Sequence, residues 1–169
     1  MSSKKSSEDH FRSIFEHCPV GMALVGLDLR IIDVNPTVCT IIGYTKEELV
    51  GRKFGELVHP DESAVSLANA AKLFTGQVPT VETDRRYIRK DGEVVWVHIV
   101  AGIIRGAFGI PKCILAVLEN VSGRKEAERE LRERTAELER LNSLMLNREL
   151  KMVELKNKIA KLEKPPKKT

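Results

Sequence analysis

The stretch from Asn35 to Gly51, Asn-Pro-Thr-Val-Cys-Thr-Ile-Ile-Gly-Tyr-Thr-Lys-Glu-Glu-Leu-Val-Gly, constrains this chain more than any other. It encodes two very short helices joined without slack. Asn35 caps the first helix and Pro36 takes its first helical position, where a missing N–H costs nothing. Gly43 suits the left-handed residue that ends it. Thr45 and Glu48 form a capping box opening the second, and Gly51 can close it. Val38, Ile41 and Ile42 give the first helix an apolar side, and Leu49 anchors the second. Helices this short are not stable alone, so the flanking β-rich sequence must cover them.

On the N-terminal side, Glu8 to His17 reads as a helix with Phe11, Ile14 and Phe15 on one face. Met22–Val25 and Leu29–Val34 follow as a strand pair turning at Gly26-Leu27-Asp28. On the C-terminal side, Asp61 caps a helix from Glu62 to about Phe74, whose Ala64, Leu67, Ala68, Ala71 and Phe74 recur at helical spacing. Thr80–Arg89 and Glu93–Ile104 make a long hairpin with Asp91-Gly92 at its turn. Lys112–Asn120 is the last strand. The order β-β-α-α-α-β-β-β implies an α+β fold, a five-stranded antiparallel sheet with helices on one face. Val94 to Ala101 is apolar at both parities, which calls for cover on both faces by the N-terminal helix or a second copy.

After Ser122 the period changes to seven. Leu131, Leu138, Met145, Met152 and Ile159 repeat, and three residues after each come Arg134, Leu141, Arg148, Leu155 and Leu162. This is the a/d pattern of a coiled coil, one helix from Val121 to Glu163. The two arginines interrupt the seam, either laying their stems across it or weakening it so that the register can change. Leu144, Leu146, Leu150 and Val153 offer a competing stripe. The expected organisation is a disordered tail at 1–7, a domain at 8–120, the coiled-coil helix at 121–163 and a basic tail at 164–169.

The formal charge of +4 is localised: seven lysines from Lys151 onward face only Glu154 and Glu163, leaving the rest near neutral. That pattern describes a solvated tail rather than a nucleic-acid-binding face. With 42% hydrophobic residues but no apolar run of about 18, the chain reads as soluble, with no membrane span. Cys18, Cys39 and Cys113 are scattered and odd in number, as in the reducing cytoplasm. Phosphate loops, zinc-protease motifs and nucleophile elbows are absent. His10, His17, His59 and His98 lack metal spacing. No catalytic function is expected.

The central segment with Asn35-Pro36 and Gly43-Tyr44-Thr45, the following His59-Pro60-Asp61, the Arg89-Lys90-Asp91-Gly92-Glu93 turn with Trp96-Val97, and Glu119-Asn120-Val121-Ser122-Gly123-Arg124-Lys125 together resemble PAS domains. The resemblance covers roughly residues 11–125. It implies the PAS fold and a pocket lined by Cys39, Phe54, Leu67, Tyr87, Val97, Ile99, Ala116 and Leu118, although a filled core is the favoured reading of those residues. Phe54 stands where flavin-binding photoreceptor relatives carry their reactive cysteine. Residues 61–75 also lack the histidine by which oxygen-sensing relatives hold haem. Neither flavin-adduct nor histidine-ligated haem chemistry is expected, and the cofactor expectation is none beyond an unknown small molecule. Asn120, Val121 and Ser122 stand where the family joins its last strand to an output helix, with Ser122 retaining a helix cap. The expected function is a cytoplasmic sensory or interaction module, homodimeric through Leu131, Leu138, Leu141, Met145, Met152, Leu155, Ile159 and Leu162 and through the outer sheet face. It would signal to a downstream kinase or other output domain. A constitutive dimerisation scaffold and a cofactor-dependent redox or gas sensor are the alternatives.

Overall fold

The computed structural model describes residues 2–162. The central segment folds as its caps require. Helix α2 (Pro36–Ile42) begins at Asn35 and ends on Gly43 at φ 80°, and helix α3 (Lys46–Leu49) opens on a complete Thr45–Glu48 capping box. Leu49 is fully buried, and Val38 and Ile42 nearly so.

Around this segment lies one antiparallel sheet of β1 (Gly21–Val25), β2 (Ile31–Val34), β3 (Thr80–Ile88), β4 (Val94–Arg105) and β5 (Pro111–Asn120), in the spatial order β2-β1-β5-β4-β3. The last strand therefore pairs with both the first strand and the long hairpin. Helix α4 (Pro60–Phe74) lies beside β3. The main core joins Val34, Val38, Ile42 and Leu49 to Val95, Val97 and Leu118, and a second cluster joins Leu73 to Val25 and Ile114.

Asn35 holds the first strands and α2 in one arrangement. Its side chain is fully buried, and its Oδ1 accepts from Met22 N–H (2.9 Å) and Val38 N–H (3.2 Å), while Nδ2 donates to Val20 C=O at 2.9 Å. At the other end of α2, the β3–β4 turn supplies donors to the terminal carbonyls. Arg89 donates to Ile41 C=O at 2.7 Å and Lys90 N–H to Ile42 C=O at 3.1 Å. The Lys90 ammonium also reaches Glu48 of the capping box at 2.5 Å.

Three local expectations are corrected. Helix α1 (Ser2–His17) starts at Ser2, where a disordered tail was expected. Once a helix is nucleated, each further residue adds a hydrogen bond at little cost. Its Phe15 is buried, whereas Phe11 and Ile14 are exposed. Helix α4 is capped by His59, whose Nδ1 accepts from Asp61 N–H, so Pro60 rather than Glu62 opens the helix. The buried side of α4 is Ser66, Ala70 and Leu73; Leu67 and the alanines at 64, 68 and 71 face outward. Two anchors on that side set the rotation. Leu73 enters the second core cluster, and Glu62 accepts from the Arg86 backbone (3.0 Å) and guanidinium (2.7 Å).

Helix α5 runs from Ser122 to Leu162, about 61 Å at 1.5 Å per residue. The compact units divide between Gly123 and Arg124. Leu131, Leu138, Leu141, Met145, Met152, Leu155 and Ile159 are all at least half exposed on this helix, as are Leu144, Leu146, Leu150 and Val153. Glu163 and the basic tail at 164–169 lie outside the described residues.

Asn35→Ala removes a helix cap and strands a buried N–H and a buried C=O. It is expected to lower stability by about 3 kcal/mol, measured by urea denaturation of the intact chain.

Candidate functional site

Between α4, the central helices and the sheet lies a cavity of about 90 Å³. This is well above the roughly 10–15 Å³ that a single water needs, and smaller than the cavity of about 150 Å³ that admits benzene. Its existence corrects the filled-core reading. Large side chains such as Phe54, Leu57 and Leu118 do reach the space, but Ala23, Ser66, Ala70, Ala101 and Ala116 also line it and are too short to close it.

Of the residues expected to line a pocket, Phe54, Tyr87, Ile99, Ala116 and Leu118 do so. Leu67 does not, being 45% exposed on the far side of α4. Cys39 and Val97 pack in the main core without bordering the cavity. Burial, and secondarily the Glu47 carboxylate, pushes the Cys39 thiol above its ordinary pKa, so it stays protonated and behaves as a small apolar group.

Strand β3 contributes most of the polarity. Its alternation directs Val81, Thr83, Arg85 and Tyr87 to the cavity. The intervening residues meet the outer face of β4, where Asp84 lies 2.7 Å from the His98 ring and the Arg86 guanidinium sits 5.8 Å from the Trp96 ring centre. The outer face thus has polar and cation–π neighbours where sequence alone asked for apolar cover, while Val94 and Val100 remain exposed. From α4 come Ser66 and Asn69. The sequence periodicity missed both, because it selected the outward alanine stripe.

Tyr87 is buried, and desolvation pushes its phenol up to about 12 against a weaker opposing influence from the Arg85 charge. At neutral pH its hydroxyl is a hydrogen-bond donor.

The strand-to-helix junction sits at the end of β4's pairing with β5. Val121 N–H donates to Trp96 C=O at 2.9 Å, and Trp96 N–H donates to Ser122 Oγ at 3.0 Å. Asn120 Oδ1 accepts from Ser122 N–H at 3.0 Å. Ser122 thus ties the helix start to β4. Its hydroxyl satisfies a β4 donor that lies beyond the end of the strand pairing, and Asn120 supplies the bond at the helix start.

The family model described as PAS domain matches residues 19–123. Over 122 residues the chain is 34% identical to a probable diguanylate cyclase of Escherichia coli K12, covering 72% of this chain and 11% of that protein. Over 133 residues it is 23% identical to a sensor histidine kinase of Ectopseudomonas mendocina, covering 79% of this chain and 14% of the kinase. The chain thus spans only a small part of these relatives' length. Among solved structures, a PAS domain from Colwellia psychrerythraea superposes with a TM-score of 0.65 at 20% identity, over 69% of this chain and 98% of that one.

The Tyr87 phenol carries a stability prediction. Its folded pKa lies about two units above the ordinary value of 10.0. Its stabilising contribution is thus complete below pH 10 and is lost as pH rises from about 10 to 12, a loss of about 2–3 kcal/mol. Tyr87→Phe should lack this component, and the two proteins' denaturation free energies should converge across that window.

Proposed function

The chain belongs to the PAS domain family, and from that membership we propose that it is a cytoplasmic sensory and interaction module that signals through a dimeric coiled coil to an output domain or a separate partner, such as a kinase. The observation that carries this reading is the junction. Strand β4 lines the cavity with Ile99 and Ala101 and, a few residues earlier, holds the first residue of α5 through the Trp96–Ser122 hydrogen bond. A shift of β4 on ligand or partner binding is therefore applied to the start of the long helix.

The rest of α5 supports a second copy as its partner. Its apolar heptad positions are exposed along the helix, and a lone helix of this composition gains little from its own side chains. Arg134 and Arg148 at seam positions make the pairing weak enough to be biased. The exposed Val94 and Val100 on the outer sheet face offer a second, smaller contact. The three free cysteines suit the cytoplasm, and no helix among the described residues is long and apolar enough to cross a membrane. Sensory modules of this family act through other domains, and the reading assigns no catalysis to this chain.

Changing Leu138 and Leu141 together to Lys removes four leucines from a dimer seam. At roughly 1.5–3 kcal/mol each, this should weaken association by at least about ten-thousand-fold while leaving residues 1–123 folded. Light scattering should then show a dimer for the parent and a monomer for the variant. A variant that stays dimeric would assign the contact to the domain face and remove the coil from the mechanism.

A further inference from the structure

Arg85 is an anomaly in this domain. Its residue is only 6% exposed, it lines the cavity, and its side chain makes no ion pair or hydrogen bond with another described residue. Neighbouring cations are all served: Arg86 by Glu62 and Asp61, Arg89 by the α2 carbonyls, and Lys90 by Glu48. The residue is buried, yet none of its nitrogens is cut off from solvent without a partner; the guanidinium therefore keeps access to the open space it lines, and in that mostly apolar space it has no counter-charge. Across the same space Ser66 is also 6% exposed, and its Oγ is a buried hydroxyl with no partner. Two nearly fully buried polar side chains, one on β3 and one on α4, thus border one apolar cavity with their bonding capacity unused.

We propose that this cavity binds a small organic monoanion, a carboxylate on a short apolar body, with Arg85 as its counter-ion and Ser66 and Tyr87 as hydrogen-bond donors. The guanidinium fork matches a carboxylate in two parallel hydrogen bonds. One buried cation balances one negative charge; a phosphate dianion would leave charge uncompensated in a mostly apolar space. The alanine and leucine lining suits a short hydrocarbon chain. As a signal, the anion would tie β3 to α4 across the cavity. This role deepens the sensory reading and rests on it.

Isothermal titration of the full chain with propanoate, propanamide and inorganic phosphate tests the assignment. Propanoate should bind at least about tenfold more tightly than propanamide, and phosphate should not compete. Arg85→Met should weaken propanoate roughly 10- to 100-fold and leave propanamide unchanged. The same change should raise the thermal midpoint of the unliganded protein, because a charge facing a mostly apolar cavity without a counter-charge is gone; a purely structural arginine would give a fall. Arg85→Lys, which keeps the charge and loses the fork, should bind propanoate with intermediate affinity and serves if the methionine variant does not fold. Equal affinity for propanoate and propanamide, unchanged propanoate binding in the Arg85 variants, or no binding by any probe would overturn the assignment. Light scattering on the same samples separates the two ideas: an intact, coil-dependent dimer without carboxylate preference removes this ligand class and leaves the sensory reading standing.

Discussion

The domain depends first on the buried side chain of Asn35. One amide satisfies a donor on Met22, an acceptor on Val20 and the Val38 N–H in the first turn of α2. Apolar burial could hold α2 against the sheet in several rotations, but three directional bonds to backbone groups admit one. Because Met22 belongs to β1, which pairs with both β2 and β5, the same amide fixes the first helix relative to the strand that leads into α5. The β3–β4 turn completes the arrangement from the far end by donating to the last carbonyls of α2. A seven-residue helix with both ends satisfied from outside needs little stability of its own.

These features were legible in the sequence because they depend on short-range chemistry. An Asn-Pro start, a Thr-x-x-Glu box and a glycine at a helix end each state a backbone geometry within a few residues. The hairpin followed from its Asp-Gly turn between two long strand-like runs. The face of α4 was not legible. Its alanines form a plausible inward stripe, and the rotation observed is set by Glu62 gripping β3 and Leu73 entering a distant cluster. Tertiary anchors outweigh a weak apolar moment made of alanines, each of which gains little by burial.

The same distinction explains the site. Phe54, Tyr87 and Leu118 were named by the resemblance to PAS domains, whereas the cavity owes its existence to small residues at 23, 70, 101 and 116. Arg85 passed unnoticed beside Arg86, since two adjacent arginines in a polar strand look alike. The signal was nevertheless present: residues two apart share a face, and placing Tyr87 inside places Arg85 inside with it.

Cavity and junction are linked by strand register. Ile99 of β4 is paired with Leu118 of β5, and both border the cavity; two residues along, Val97 is paired with Asn120, the residue that starts the turn into α5. The path from cavity to helix is therefore a few residues on two hydrogen-bonded strands. Val97 is fully buried between these pairs, so the strands have little room to deform independently; in the signalling reading proposed above, a displacement at Ile99 and Leu118 would reach Asn120 and Ser122. At Asn120 the geometry asks for an acceptor for Ser122 N–H, and the amide oxygen supplies it without a charge. In that reading, coupling at this junction would run through backbone continuity and the hydrogen bonds among Trp96, Asn120, Val121 and Ser122.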